Sequence, residues 1–149
     1  MDQDPAFALA AHVTRTGFAD LPAATVAATK RDILDTFGCI LGGSGAPGID
    51  ALFEVTDHWG GREESTVLLH GRRLPAPQAA LLNASMGHAL DFDDTLDTGG
   101  SIHPGVSALG IALAVSDSLG HATGKELLLA VVLARISHGG RCIGALNEG

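Results

Sequence analysis

The sequence predicts a mostly α-helical domain, a helical bundle with one short β excursion near residues 65–70. Three observations lead to this fold class. Apolar residues recur with helical spacing along most of the 149 positions, glycines separate the apolar runs, and aromatic residues make up only 4% of the chain. Apolar side chains that repeat with a period of about 3.6 residues share one face of a helix. A core of Ala, Leu, Val and Ile suits closely packed helices, so a bundle is expected.

Three helices are predicted in the first part of the chain. The first covers residues 6–16. Asp20 offers a side-chain acceptor just before Pro22, a residue type that is tolerated in a first turn, so the second helix is expected to begin there. Its apolar stripe continues to the glycine pair at 42–43, and a third helix fits Ile49–Trp59.

The predicted β excursion separates these helices from the second half of the chain. Residues 65–70 are rich in β-branched and aliphatic side chains and form the only credible strand, and residues 71–73 follow as a turn. A helix rich in Ala and Leu is predicted over residues 77–90. Residues 91–101 contain several aspartates and glycines and are expected to form a loop.

Two further helices are predicted after this loop. The run over residues 106–119 is apolar nearly all round, so this helix is expected to be buried on most sides, with Gly120 at its end. Thr123 and Glu126 match a capping box, in which the two side chains satisfy backbone N–H groups at the helix start. The apolar run over residues 127–136 then continues as a helix.

The charge balance and the cysteines exclude several function classes. Nine basic and 17 acidic residues give a net charge of −8, and no basic stripe is present, so no nucleic-acid partner is expected. No apolar run reaches the roughly 18–20 residues that cross a bilayer, and the acidic N-terminus does not resemble a secretory signal. We therefore expect no membrane partner and a cytoplasmic location. Cys39 and Cys142 have no metal or redox spacing, and Cys39 is expected to be a small buried hydrophobic residue.

Polar side chains concentrate in a short segment between two apolar helices. If the helix over residues 77–90 continues to Asp91, then His88 and Asp91 share a face. Carboxylates and imidazoles gathered in this way can shift one another's pKa values, which acid–base catalysis requires. His103 stands just before a helix whose first N–H groups have no partners within the helix, and such an end attracts anions. The polar residues of the segment are His88, Asp91, Asp93, Asp94, Thr95, Asp97 and His103.

The same residues allow other interpretations. The aspartates are able to cap turns, and His103 to cap a helix, without any chemistry. Asp93, Asp94 and Asp97 match a DDxxD pattern, which holds Mg²⁺ in class I terpene synthases, although five Phe and one Trp provide few aromatics for such a pocket. Histidine and aspartate side chains also ligate Zn²⁺ or Fe²⁺, but no HxxxH or HxxE pair is present. A non-catalytic helical interaction module is the remaining alternative.

A long motif in this segment resembles a known family signature. Residues 83–95, NASMGHALDFDDT, followed by His103-Pro104-Gly105, resemble the signature of the MmgE/PrpD family, which includes 2-methylcitrate dehydratase, cis-aconitate decarboxylase and iminodisuccinate epimerase. Residues 35–43, DTFGCILGG, resemble an early helix of that family and its glycine turn. Residues 64–80 resemble its strand and the following Ala-rich helix. The similarity extends from about residue 21 to about residue 134.

The resemblance implies a cofactor-independent lyase that acts on a small polycarboxylate and is similar to 2-methylcitrate dehydratase. It also implies a helical domain, a smaller α/β lid domain with the active site between the two, a homodimer or other homo-oligomer, and no metal. By position, His103 is expected to contact a substrate carboxylate or donate a proton, Thr95 to donate a hydrogen bond, and Asp91 to orient neighbouring groups. The residues expected to bind substrate are His88, Asp94 and Arg141.

Some features depart from the family pattern. The spacing from Thr95 to His103 is eight residues, longer than in the decarboxylase branch, and Arg141 alone is kept from a motif near the end of this region. These differences argue against decarboxylation of cis-aconitate. The lid domain, with its Lys and His residues, is absent from the 149 residues. We therefore expect an N-terminal fragment that is inactive alone, or active only with a complementing lid-domain chain.

Overall fold

The computed structural model describes residues 4–96 and 102–146, with side chains described as far as Ile136. Within these ranges the chain is mostly α-helical with one small antiparallel sheet, so the predicted fold class is confirmed. No helix in these ranges combines the length and apolar character that a bilayer crossing requires. The elements are α1 (Pro5–Arg15), α2 (Ala23–Gly43), α3 (Ile49–Trp59), β1 (Ser65–Val67), β2 (Arg72–Leu74), α4 (Ala76–His88), α5 (Pro104–Leu119) and α6 (Gly124–Leu146).

Helix α4 is the centre of the packing. It packs against both α2 and α5, and α5 packs in turn against α6. At the end of α4, Val106 of α5 lies directly over Gly87, where a Cβ atom would come within 2.8 Å of the valine side chain. This close approach holds the end of α4 beside the start of α5. The most deeply buried aliphatic residues, each at most 2% exposed, include Ile40, Leu82, Met86, Leu109 and Val131.

The β excursion is a hairpin, and the prediction of a single strand with a turn at residues 71–73 is wrong. Strand β1 pairs antiparallel with β2, with Ser65 opposite Leu74, and the turn occupies residues 68–71. Arg73, predicted to lie in the turn, belongs to β2. There its guanidinium donates to the Asp117 carboxylate of α5 at 3.1 Å. This contact joins residues far apart in the chain, so local sequence patterns do not predict it.

Asn83 joins the hairpin to α4. Its side chain is 1% exposed. Its Oδ1 accepts from the backbone N–H of Leu68 at 2.9 Å, and its Nδ2 donates to the carbonyl of Thr66 at 3.1 Å. Buried backbone groups need such partners, because an unpaired one costs free energy. The first residue of the family-like motif therefore has a structural role.

Asp117 ties α5 to the hairpin through a second set of hydrogen bonds. Its Oδ2 accepts from the hydroxyl of Thr66 at 2.6 Å and from the backbone N–H of the same residue at 2.7 Å. The hydroxyl hydrogen bond is the main cause that lowers the pKa of Asp117 below its ordinary value of 3.8, and the backbone bond and Arg73 act in the same direction. A carboxyl group whose pKa is depressed on folding stabilises the fold above its unfolded pKa, and this contribution is lost as the pH falls.

We expect Asp117→Asn to lower the Tm at neutral pH and to flatten the fall of Tm between about pH 5 and about pH 3, because the variant has no carboxylate there to protonate. Thermal melts followed by circular dichroism across this range measure the effect. Asp50→Asn, which alters an exposed carboxylate in the first turn of α3, should keep the parent slope. Equal slopes for Asp117→Asn and the parent protein would contradict the assignment.

Two local predictions are corrected near α2. Asp20 does not cap this helix. It ends a 3-10 turn, where its carboxylate accepts from the backbone N–H of Gly17 at 2.8 Å, and α2 begins at Ala23 without a side-chain cap. Cys39 is only partly buried, because it lies at the margin of the apolar stripe. Burial still raises the pKa of its thiol, and the carboxylate of Asp35 adds to this effect.

Helix α5 is less buried than its composition predicts. Ile111, Val115 and Leu119 are 55%, 47% and 57% exposed. Together with small side chains of α6 they line an apolar groove of about 310 Å³. An apolar pattern that runs all round a helix does not say which of its faces the neighbouring elements cover.

Candidate active site

The end of α4 and the start of α5 bring the candidate residues together. Helix α4 ends at His88 and not near residue 90, so helical spacing does not place Asp91. Asp91 instead adopts the left-handed conformation with a φ of 56°, which aspartate tolerates better than most residues, and its side chain is 78% exposed. His103 is the N-cap residue of α5. Leu96 and Ile102 form an antiparallel backbone bridge, so the segment that follows Asp94 lies beside the residue that precedes His103.

The carboxylate of Asp93 is the centre of the site. Its side chain is 0% exposed, and its two oxygens lie 3.0 and 3.2 Å from Nδ1 of His88. Nδ1 of His103 lies 3.3 Å from Oδ2, a close electrostatic contact without the geometry of a hydrogen bond. The ring centroids of the two histidines are 4.7 Å apart. A buried carboxylate is costly unless it is paired, so Asp93 orients both imidazoles and is stabilised by them.

Asp91 and His103 form the side of this cluster that meets solvent. Oδ1 of Asp91 lies 3.7 Å from Nε2 of His103, so each ring nitrogen of this histidine faces one carboxylate. The His103 side chain is 23% exposed, and that of His88 is 52% exposed. The 3.0 Å contact between His88 and Asp93 lies within the hydrogen-bond reach that direct proton transfer requires, whereas a transfer across the 3.7 Å between Asp91 and His103 would pass through one water molecule. Thr95 is exposed, and among the described side chains it forms no hydrogen bond with Asp93 or with either histidine.

Asp94 binds the start of α5 and a residue of α6. Its Oδ1 accepts from the backbone N–H of Gly105 at 2.9 Å, and its Oδ2 lies 2.9 Å from Nη2 of Arg135. The sequence predicted that this helix start would attract a substrate anion. At Gly105 the N–H group is instead satisfied by a carboxylate of the protein itself. The contact between Asp94 and substrate stays a prediction.

No local sequence pattern assigns an individual role to Asp93, and none points to Arg135. Side-chain hydropathy would bury Phe92 and expose Asp93. The structure shows the opposite, because Phe92 is 77% exposed while Asp93 beside it is buried. Arg135 follows from no local motif, since its partner Asp94 lies on another part of the chain. The sequence feature that points to Asp93 is the pair of adjacent aspartates, Asp93 and Asp94, before the start of α5. The side chains of Arg141 and Asp97, named in the sequence analysis, lie outside the described ones.

Four residues of the site have the side chains of metal ligands. One ligating atom from each of His88, Asp91, Asp93 and His103 lies within 4.8 Å of the others. Such a set suits Zn²⁺ or Fe²⁺ in principle. Nδ1 of each imidazole faces Asp93, so an ion bound through these nitrogens would replace both contacts, whereas Nε2 could bind an ion without disturbing them. That the site works without a metal stays a prediction.

We expect the purified protein to hold no stoichiometric metal, and added Zn²⁺ to leave its Tm unchanged. A bound ion would stabilise the folded state by mass action, so a Tm titration detects it independently of activity. Elemental analysis and melts with and without a chelator are the measurements. Stoichiometric zinc, iron or magnesium, or a rise in Tm that His88→Ala abolishes, would contradict the expectation.

The fold and the site define a class of protein: a mostly α-helical domain in which the segment between two packed helices carries an aspartate and histidine cluster suited to acid–base chemistry. Residues 8–135 match the profile of the MmgE/PrpD N-terminal domain. The chain therefore belongs to the MmgE/PrpD family, and the resemblance seen in the sequence is confirmed. No curated protein shows significant similarity to the chain.

Proposed function

We propose that the cluster around Asp93 is the catalytic site of a cofactor-independent lyase that dehydrates a small polycarboxylate, in the manner of 2-methylcitrate dehydratase. The observation that carries the proposal is the buried Asp93 carboxylate, which lies within 3.3 Å of two imidazoles, next to the exposed carboxylate of Asp91. Membership of the MmgE/PrpD family supports the reaction class.

Dehydration needs two proton transfers, and the site offers a group for one of them. A base accepts a proton from a carbon next to a carboxylate, the hydroxyl group on the neighbouring carbon takes up a proton and leaves as water, and a carbon–carbon double bond forms. In our proposal the base that accepts the carbon-bound proton belongs to the lid domain that covers the cluster. In our proposal His103 gives a proton to the leaving hydroxyl group or holds a substrate carboxylate. Asp91 orients this ring through the 3.7 Å contact with Nε2, and Thr95 donates a hydrogen bond. The substrate contacts proposed in addition are those of His88, Asp94 and Arg141.

We also propose that these 149 residues turn over substrate slowly or not at all by themselves. The side chains of Asp91 and His88 are 78% and 52% exposed, so water reaches the outer side of the cluster, where a substrate would bind. Positioning of the substrate and exclusion of water each lower the barrier of a catalysed step. A second polypeptide that covers the cluster, such as a family lid domain, would provide both.

A substrate panel tests the proposal. The protein is incubated in chelator with 2-methylcitrate, citrate, cis-aconitate or iminodisuccinate, with and without a separately produced lid domain of the family, and the products are followed by NMR. We expect dehydration of 2-methylcitrate when the lid domain is present and little without it. A metal requirement, a preference for decarboxylation of cis-aconitate, or full turnover by the isolated chain would contradict parts of the proposal. Inactivity throughout would favour the non-catalytic interaction module.

A further inference from the structure

Arg135 lies where three segments of the chain meet, outside the cluster described above. From α6 its Nη2 reaches Oδ2 of Asp94 at 2.9 Å, and its Nη1 lies 3.4 Å from Oδ2 of Asp32 on α2. The Arg135 side chain is 25% exposed, and Nη1 has no hydrogen bond in the described part of the chain, so its contact with Asp32 is electrostatic. The guanidinium therefore attracts both carboxylates, and its closer contact, at 2.9 Å, restrains Asp94.

Asp94 transmits this restraint to the start of α5. One of its oxygens faces Arg135 and the other accepts from the backbone N–H of Gly105, a group that has no partner within its own helix. A Cβ atom at Gly105 would overlap Oδ1 of Asp94 and lie 3.0 Å from Nη1 of Arg135. The side chains of Asp94 and Arg135 therefore occupy the space that the Cβ atom of any residue other than glycine would need at position 105.

The restrained N–H group is close to the histidine of the proposed site. His103 precedes Gly105 by two residues, and Asp93 precedes Asp94 directly. One aspartate of the pair contacts the ring of His103, while the other holds the backbone that follows this ring. A shift of Asp94 would therefore disturb both the ring and the carboxylate that orients it.

We infer that Arg135 is a positioning residue that, through Asp94 and the N–H group of Gly105, holds the His103 imidazole against Asp93. The inference rests on the proposed function only in giving His103 a catalytic role, and the positioning itself does not depend on turnover. The Asp94 side chain is 17% exposed. Without Arg135 this carboxylate loses its ion pair and keeps only the Gly105 N–H, and a partly buried carboxylate that is not fully compensated tends to turn towards solvent. The Gly105 N–H is then released.

Hydrogen exchange and histidine NMR signals of the 149-residue protein test the inference. Arg135→Met keeps the length of the side chain and removes its charge. We expect exchange of the Gly105 amide to accelerate about tenfold through local opening, and the ring signals of His103 to shift. The Leu68 amide, which Asn83 holds, should exchange at its parent rate. Arg62→Met, at an arginine whose side chain is 86% exposed, is the matched control and should change neither signal.

Arg135→Lys is the second variant, because it keeps the charge and disturbs the fold less. A lysine ammonium is a point charge and does not fork between two carboxylates, so a smaller, roughly threefold acceleration at Gly105 is expected. If Arg135→Met does not fold, the Gly105 exchange rate and the His103 ring signals of Arg135→Lys test the inference by themselves. Unchanged Gly105 and His103 signals, or a uniform acceleration of all amides, would overturn the inference. Local changes, together with no turnover of any polycarboxylate even when the lid domain is present, would support the inference and count against the proposed function, so the two failures are distinguishable.

Discussion

Asp93→Asn is expected to lower turnover by about 10²–10⁴-fold, the range associated with a misplaced proton-transfer group. The Asp93 side chain is 0% exposed, and its carboxylate accepts a hydrogen bond from Nδ1 of His88. Nδ1 of His103 lies 3.3 Å from Oδ2 without hydrogen-bond geometry, and the negative charge at this distance favours a hydrogen on that nitrogen as well. An asparagine amide presents one acceptor and one donor to the two rings. One imidazole must then turn or move its hydrogen to Nε2, which for His103 is the nitrogen that faces Asp91.

The effect of Asp93→Asn is measured in the preparation that turns over substrate, and by the histidine ring signals of the 149-residue protein. The ring signals of His88 and His103 should move even where turnover is not seen. Asp50→Asn is the matched control at an exposed aspartate and should leave both readouts unchanged. Parent-like turnover together with parent-like ring signals in Asp93→Asn would show that the buried carboxylate does not orient the site.

Gly43→Ala is expected to destabilise the fold by about 2–3 kcal/mol, the usual cost of forcing an extra group into a packed core. A Cβ atom at Gly43 would overlap the carbonyl oxygen of Met86 and lie 3.2 Å from Cβ of Ala89. Two of the atoms it would meet belong to the backbone of α4, which cannot turn aside as a flexible side chain can. Helices α2 and α4 must therefore separate, and the Tm should fall by roughly 5–10 °C.

Gly38→Ala provides a matched control in the same helix. A Cβ atom at Gly38 would meet nothing within 4 Å, so the substitution should stabilise the protein by about 0.5–1 kcal/mol through helix propensity alone. Urea unfolding of both variants gives the free energies of unfolding. A loss of stability in Gly38→Ala, or none in Gly43→Ala, would contradict the close packing of α2 on α4.

The sequence predicts those parts of the fold that depend on local interactions. Helix α3 matches its predicted bounds, Ile49–Trp59, residue for residue. The capping box is confirmed, since Glu126 accepts from the backbone N–H of Thr123 at 2.7 Å and its own N–H donates to the threonine hydroxyl at 3.3 Å. Such contacts join residues a few positions apart, so spacing and residue type are sufficient to predict them.

The remaining features depend on contacts between distant segments. By sequence alone Arg72 and Arg73 resemble turn residues. In the structure they belong to β2, where Arg73 forms an ion pair with Asp117 of α5. Asp93 is buried against two imidazoles, one at the end of α4 and one at the start of α5, which are brought together by the packing of these helices. The sequence therefore predicts the polar segment that carries the candidate site, whereas the central position of Asp93 and the contact of Arg135 with Asp94 depend on how the helices pack.

Whether the cluster around Asp93 binds a polycarboxylate decides if it is the substrate site, and an NMR titration of the labelled 149-residue protein with 2-methylcitrate in chelator measures this binding. We expect saturable shifts of the His88 and His103 ring signals and of the amides near Asp91. These shifts should disappear in His103→Ala and with propionate, a monocarboxylate control. An absence of shifts, or shifts confined to the apolar groove lined by Ile111, would contradict the assignment of this cluster as the substrate site.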